Sequence, residues 1–322
     1  MDIAVTGATG FIGTALVDAL RADGHRVATL VRRAPAPGQD AVRWDPAAGT
    51  IDAASLEGID AVVHLAGEPI GARRWNDQVK RRILDSRVQG TDLLARTLAD
   101  LDRPPAVLLS GSAIGIYGER GDEVLTERSP AGTGFLADVV TAWEAATAPA
   151  DAAGIRVAHL RTGIVLAPGG GALAKVLPLF RFGLGGRLGP GTQWWSWISL
   201  TDEVRAIRFL LEADVAGPVD LTAPQPVTNA AFTKDLGAVL GRPTVLPVPK
   251  FGPSLLLGSE LATELLFTSQ RVLPAVLDDA GFAFERGAAR RPARRAQARQ
   301  VNRTLPFSSA LSSGSALDCS GL

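Results

Sequence analysis

The chain is poor in several reactive side chains. Its 322 residues include one cysteine, one methionine, one tyrosine and three histidines. A lone cysteine, Cys319, excludes an internal disulfide and a thiolate metal cage, and it suits a reducing compartment. No His/Cys/Asp cluster stands at metal-ligand spacing, so no metal is expected. The formal net charge is zero, which removes any global attraction to nucleic acid or to an anionic surface. No apolar run approaches membrane-spanning length, and no basic segment followed by a long apolar one opens the chain. These absences predict a soluble, cytoplasmic protein without a signal peptide and without nucleic-acid or membrane partners.

Neutrality conceals an uneven distribution. Arg290, Arg291, Arg294, Arg295, Arg299 and Arg303 face only Asp318 beyond residue 286, so the preceding body is net acidic. Residues 287–322 are rich in Arg and Ala, then in Ser, with almost no apolar periodicity, and are expected to be disordered.

What is present begins at once. Gly7-Ala8-Thr9-Gly10-Phe11-Ile12-Gly13 follows the apolar run Ile3-Ala4-Val5 and leads into a helical pattern, Phe11, Ile12, Ala15, Leu16, Ala19, Leu20. A strand that turns on glycines into a helix leaves free backbone N–H groups at the helix N-terminus, which hold a pyrophosphate. Gly7 permits the turn, Gly10 admits phosphate and Gly13 allows helix and strand to pack closely. The motif predicts dinucleotide binding, with Thr9, Phe11 and Ile12 beside the ligand.

Short apolar runs then alternate with helical patterns, which predicts an α/β fold of Rossmann type with a doubly wound parallel sheet. Strands are expected at 2–6, 26–31, 60–65, 105–110, 156–161 and around 218–222. Helices are expected near 11–23, 76–99, 135–153 and 201–213. From Leu166 the glycines Gly169, Gly170, Gly171, Gly183, Gly185, Gly186, Gly189 and Gly191 interleave with Leu177, Phe180, Phe182 and three tryptophans, reading as a loop-rich wall. A helix at 229–240, a strand at 244–248 and helical segments at 252–267 and 269–279 follow. The nucleotide domain is thus assigned to 1–165 and 198–224, and a smaller substrate-side lobe to 166–197 and 225–286.

The second strand ends in Arg32-Arg33 with no acid nearby. Asp or Glu there would hold the ribose hydroxyls of NAD, whereas arginine suits a 2′-phosphate, so NADP(H) is expected over NAD. Leu65-Ala66-Gly67 ends the strand after His64 and should pass beside the ribose and pyrophosphate. His64 reads as a half-buried strand residue with nothing to orient it. Gly163 opens a turn expected near the nicotinamide. Arg87, a charge within an amphipathic helix entering the cleft, is expected to touch cofactor or a carboxylate.

Together these residues resemble the extended short-chain dehydrogenase/reductase superfamily, through the glycine loop, His64-Leu65-Ala66-Gly67, Gly90-Thr91 and Ser112 to Gly118. They are more similar to its atypical branch, the epimerase family proteins, which carry an NAD-dependent epimerase/dehydratase-like domain and a short C-terminal domain of unknown function. The phrases that carry this likeness include Arg73-Arg74-Trp75, Ser86-Arg87, Trp143-Glu144, Arg161-Thr162-Gly163, Gln193 through Ile198 and Ser269-Gln270-Arg271-Val272. The resemblance implies oxidoreductase or epimerase-like chemistry on a carbonyl or alcohol of a small-molecule substrate. The superfamily works through a Tyr-x-x-x-Lys pair, and this chain lacks it: Gly121 stands four residues after Tyr117, and the helix 134–144 holds neither residue. Ser112 and Tyr117 are therefore the candidate catalytic hydroxyls, on a loop beyond the strand end. An unassisted tyrosine there would donate a proton and act poorly as a base. Glu68, Ser110, Lys175 and Trp195 are candidate substrate contacts. Each has another reading: Ser110 and Ser112 satisfy loop backbone groups, Tyr117 packs as a wall residue, Lys175 is solvated, and Trp195 belongs to the lobe core. A binding protein that senses NADP(H) without turning over is the alternative to an enzyme.

Overall fold

The structure, a computed structural model, describes residues 1–36, 38–168 and 170–285. The expected disorder of 287–322 lies outside the described residues.

In chain order the first strands are β1 (Asp2–Thr6), β2 (Arg26–Val31), β3 (Ala41–Asp45), β4 (Thr50–Ile51), β5 (Ala61–His64) and β6 (Val107–Ala113). There follow β7 (Val124–Leu125), β8 (Arg156–Thr162), β9 (Ile164–Ala167), β10 (Trp194–Trp195), β11 (Trp197–Ser199), β12 (Gly217–Leu221), β13 (Val227–Thr228) and β14 (Arg271–Val272). The main helices are α1 (Phe11–Ala22), α2 (Asp77–Ala99), α3 (Phe135–Ala145), α4 (Ala148–Ala152), α5 (Gly171–Arg181), α6 (Leu200–Glu212) and α7 (Asn229–Leu240).

Eight strands form one sheet in the order β12-β8-β6-β5-β1-β2-β3-β4, parallel except for the β3–β4 pair. The order reverses between β1 and β5, so the crevice beyond their carboxyl ends is where a Rossmann-type sheet takes its ligand. Near-continuous apolar strands require cover on both faces. Leu16, Val17 and Leu20 of α1 with Ile207 and Leu210 of α6 cover one face. Leu94, Ala95 and Leu98 of α2 with Ala150 of α4 cover the other. A smaller cluster, Leu166, Leu173, Phe180, Trp197, Phe232 and Leu236, forms a separate core beside the sheet.

Several expectations change. The helix expected at 135–153 is two, α3 and α4, because Pro149 has no N–H to continue the ladder. Residues 244–248 form no strand. Pro243, Pro247 and Pro249 remove ladder donors, and only an isolated bridge from Leu188 to Val248 remains. The segment 252–267 is broken at Gly258, whose φ of +92° stops the helix Phe251–Leu257. Of 269–279 only Ala275–Asp279 is helical, while β14 pairs in parallel with β7. The glycine-rich wall contains α5, with its glycines flanking the helix rather than dissolving it. Strands β3 and β4 were not expected. Strand β6 runs three residues past its expected end, so Ser112 lies on a strand and not on a loop.

The first turn depends on bare backbone. A Cβ on Gly13 would come within 2.2 Å of the Gly7 carbonyl oxygen, and one on Gly7 within 2.7 Å of Leu65. Gly13→Ala should therefore force β1 and α1 apart, at about 1–3 kcal/mol. A melting curve should show the midpoint several degrees lower, by roughly 2–4 °C per kcal/mol.

Candidate functional site

The glycine turn is built as a cradle. Gly7 stands at φ +66°, a conformation open to glycine, and its carbonyl accepts from the Gly10 N–H at 2.9 Å. Gly10 caps α1 without a side chain, and α1 has no acid in its first turn, so the positive end of the helix faces outward unneutralised. Thr9 and Gly10 are exposed, Phe11 and Ile12 half-buried, and Gly13 buried. Facing them, a Cβ on Gly170 would lie 2.3 Å from the Phe11 ring and one on Gly171 2.9 Å from it. The start of α5 thus rests on the glycine turn.

Arg32 and Arg33 emerge exposed at the end of β2. Neither forms a salt bridge among the described residues, while the nearby Asp40 is already paired with Arg26 at 3.3 Å. Two free guanidiniums at this strand end match a 2′-phosphate.

The floor between β1 and β5 is a hydrogen-bonded chain. Thr6 Oγ1 accepts from the backbone N–H groups of Leu65 and Ala66 at 3.0 and 3.1 Å, leaving its proton for His64 Nδ1 at 2.7 Å. His64 Nε2 then donates to Thr91 Oγ1 at 3.0 Å, which also accepts from the Trp143 indole. His64 is fully buried and held at both nitrogens, which corrects the half-buried, unoriented residue expected from sequence. Burial lowers its pKa to about 4, so it stays neutral and structural.

Gly67 lies beneath Arg87, whose guanidinium carbon is 3.3 Å from where a Cβ would stand. Arg87 donates to the carbonyls of Glu68 and Ile83 at 3.0 and 3.2 Å and stacks over Trp143 at 5.0 Å. Burial lowers its pKa to about 10, opposed by Glu68, so it remains a cation at the cleft wall. Glu68 itself is exposed.

Beyond β6 lies a buried charge network. Arg161 of β8 donates from Nε and Nη2 to both oxygens of Glu144 on α3, each at 2.8 Å. Ser112 donates to Glu144 Oε1 at 2.6 Å. Arg161 Nη1 donates to the Tyr117 hydroxyl at 3.0 Å, and that hydroxyl lies 2.9 and 2.8 Å from the two carboxyl oxygens of Asp220 on β12. The backbone N–H of Asp220 in turn donates to Glu127 Oε1 at 3.0 Å. Burial works against ionised Glu144, yet its bonds to Arg161 and Ser112 hold its pKa below the usual range. Burial and neighbouring Glu127 push Asp220 up to about 8. One guanidinium is therefore balanced by one carboxylate, Glu144, with Asp220 mostly protonated at neutral pH.

Tyr117 is 0% exposed, inside a cluster with Ile114, Ile116, Leu125, Val140 and Val272. Burial drives its pKa far above the ordinary value. A catalytic hydroxyl must touch substrate, so this enclosure corrects the expectation that Tyr117 is catalytic. Ser112 keeps 5% exposure. Ser110, on the same strand, is fully enclosed, and its hydroxyl has no partner among the described residues, so it does not reach a ligand as expected. Gly163 is confined by packing: a Cβ there would meet the Ser196 carbonyl oxygen at 2.6 Å and Thr222 at 2.9 Å. Trp195 meets Phe232 edge-on at 5.1 Å, and its indole nitrogen is buried without a partner among the described residues. Trp197 and Phe180 are core residues, whereas Phe182 is 81% exposed. Lys175 lies on α5, but its side chain falls outside the described residues. Sequence reading did not assign the ionic roles of Glu144, Arg161 and Asp220. The available signal was a charge inside an otherwise apolar strand or helix. Among the described residues no group of side chains could hold a metal ion, and no helix is long and apolar enough to cross a membrane.

Residues 3–221 match the NAD dependent epimerase/dehydratase family, and residues 248–286 match a domain of unknown function, DUF1731. The chain belongs to the NAD-dependent epimerase/dehydratase family. An epimerase family protein of Mycobacterium bovis is 46% identical, covering 88% of this chain and 93% of that protein. Human epimerase family protein SDR39U1 is 39% identical, covering 85% and 92%. The crystal structure of human SDR39U1 (isoform 2) with NADPH superposes with a TM-score of 0.81 at 36% identity, covering 88% of this chain and 95% of that one. This is an NAD(P)-binding, epimerase-family protein, and its glycine cradle, uncapped α1 and unpaired arginines fit such a dinucleotide.

The network makes stability pH-dependent. Asp220 and the buried Glu203 both titrate at about 8 in the folded chain, against about 4 when unfolded. Between those values the native state binds more protons, so stability falls as pH rises through the window. Denaturant midpoints should decline from about pH 5 to pH 8, and Asp220→Asn should flatten the slope by up to about 1.4 kcal/mol per pH unit. An unchanged slope in that variant would show Asp220 to be ionised throughout.

Proposed function

We propose that this protein is an NADP(H)-dependent oxidoreductase or epimerase-like enzyme that exchanges a hydride between cofactor and the carbonyl or alcohol carbon of a small molecule. The carrying observation is the pair of unpaired arginines, Arg32 and Arg33, at the end of β2. NADPH in the crystal structure of the human relative supports the same preference. Gly7, Thr9, Gly10, Phe11, Ile12 and Gly13 would hold the pyrophosphate, with Leu65, Ala66 and Gly67 along the ribose, Arg87 at the wall and Gly163 towards the nicotinamide. A bound nicotinamide supplies or accepts the hydride. The chain's own part is to orient the reacting oxygen and handle its proton.

Ser112 is the hydroxyl assigned to that oxygen, with Glu68 and Trp195 as substrate contacts. Its proton rests on ionised Glu144, so in alcohol oxidation Ser112 Oγ would take the alcohol's proton as its own passes to Glu144, and carbonyl reduction would run the same relay in reverse. The second reading, a cofactor-binding sensor, is favoured by one observation: the single tyrosine is enclosed and committed to Asp220 and Arg161.

Two measurements test these readings. In calorimetric titrations, Arg32→Ala should weaken NADP(H) about tenfold or more and leave NAD(H) nearly unchanged. Equal affinity of the wild type for both cofactors would end the NADP(H) assignment. With NADPH fluorescence followed across a panel of carbonyl compounds, loss beyond one turnover identifies an enzyme. Ser112→Ala should then slow turnover by roughly 10²–10⁴-fold, whereas Tyr117→Phe should lower the melting temperature with a smaller kinetic effect. Stable fluorescence across a broad panel supports the sensor.

A further inference from the structure

The net charge of zero predicts no attraction to anionic surfaces, yet one face of the substrate-side lobe concentrates both cations and exposed apolar side chains. Eight of the eleven large apolar side chains exposed among the described residues come from two segments, 179–184 and 245–256. Phe182 is 81% exposed, Val245 83% and Phe251 73%. The segments are joined by backbone: the Val248 N–H donates to the Arg187 carbonyl at 2.8 Å, and the Gly189 N–H to that of Val248 at 2.9 Å. Leu246 lies beside Gly186, where a Cβ would strike the Leu246 carbonyl oxygen. The helix Phe251–Leu257 has no buried residue, and Phe251 and Leu255 stand one turn apart. Its far end is anchored, with Arg74 holding the carbonyls of Leu255 and Leu256 and Lys80 paired with Glu260.

The two segments themselves carry charge of one sign, although Glu119 and Asp122 line a pocket with Lys250. Residues 163–201 and 236–259 contain no aspartate or glutamate. Arg181, Arg187, Arg242 and Lys250 are all exposed, and none forms a salt bridge among the described residues. Monomer surfaces rarely keep so many apolar side chains together without a partner. A second copy docked symmetrically through these two segments would set their cations against their own kind, since neither segment carries an acid. A bilayer with anionic headgroups satisfies both features at once.

We propose that this face docks on an anionic lipid bilayer. Phe182, Leu184, Leu246 and Phe251 enter the boundary between headgroups and acyl chains, and the four cations meet lipid phosphates. Among the described residues no helix is long and apolar enough to cross the membrane.

The test is co-sedimentation of the full chain with phosphatidylcholine vesicles, with and without one third phosphatidylglycerol. Partition onto the anionic vesicles should be about tenfold greater and should fall as salt is added. Two double variants, Phe182→Ser with Leu246→Ser and Arg181→Glu with Arg187→Glu, should each lose about tenfold of that partition. The charge reversal disturbs no ion pair, so it remains informative if the apolar variant melts early. No binding, equal binding to neutral vesicles, or binding that both variants retain overturns the proposal. Retained binding would assign the contact to the Arg-rich segment beyond residue 286. Light scattering that shows a dimer abolished by the same substitutions also overturns it, since a second copy then covers the face.

Discussion

The bidentate pair between Arg161 and Glu144 is the contact on which the carboxyl edge of the sheet depends. Both side chains are nearly enclosed, and together they join β8 to α3. Ser112 of β6 and Tyr117 beyond it are oriented by the same two groups, and Asp220 of β12 is reached through Tyr117. Leaving either ion alone in this interior costs about 3–5 kcal/mol, much more than an exposed pair returns. The pair therefore acts as a constraint on geometry: three neighbouring strands and a helix hold one relative position or strand a buried charge. A helix that carries Leu136 and Val140 within its buried face, and no Tyr/Lys pair, keeps its place over the sheet through this contact.

The parts of the fold legible in sequence were those governed by local rules. Strand, glycine turn and helix at residues 2–22 follow from alternation, φ requirements and 3.6-residue spacing, and all three elements stand as expected. Helix α2 begins where Asn76 accepts from the Val79 N–H, a cap visible as residue type and position. What escaped reading was decided by distant partners. β3 pairs with β2, and β4, the edge strand, pairs with β3; this pairing supplies what their own pattern does not. Near 247 apolar side chains favour a strand, but Pro243, Pro247 and Pro249 remove the donors that a strand needs.

The candidate site divides in the same way. Backbone cradles announce themselves through glycine, because no other residue fits where a Cβ would meet a carbonyl. The end of β2 announces itself through arginine without a matching acid. The hydroxyls do not, since their roles turn on whether they face solvent or core. Tyr117 and Ser112 are five residues apart, yet one is committed to a β12 carboxyl and the other to a helix carboxylate. The burial of Tyr117 follows from how α3, β7 and β14 pack around it beyond the end of β6, which no local pattern encodes.

Glu127 has a consequence for assembly. Strand β12 is the last in the sheet, with β8 on one side only, and such a border normally offers its peptide groups to another chain. Here Glu127 Oε1 already occupies the N–H of Asp220 and takes that of Val276 as well, pinning the start of the helix Ala275–Asp279 beside the strand. A carboxylate has thus taken a place that a ninth strand would need. Growth of the sheet by strand addition is closed at this border, which favours surfaces made of side chains over extension of the β-ladder when copies of the chain meet.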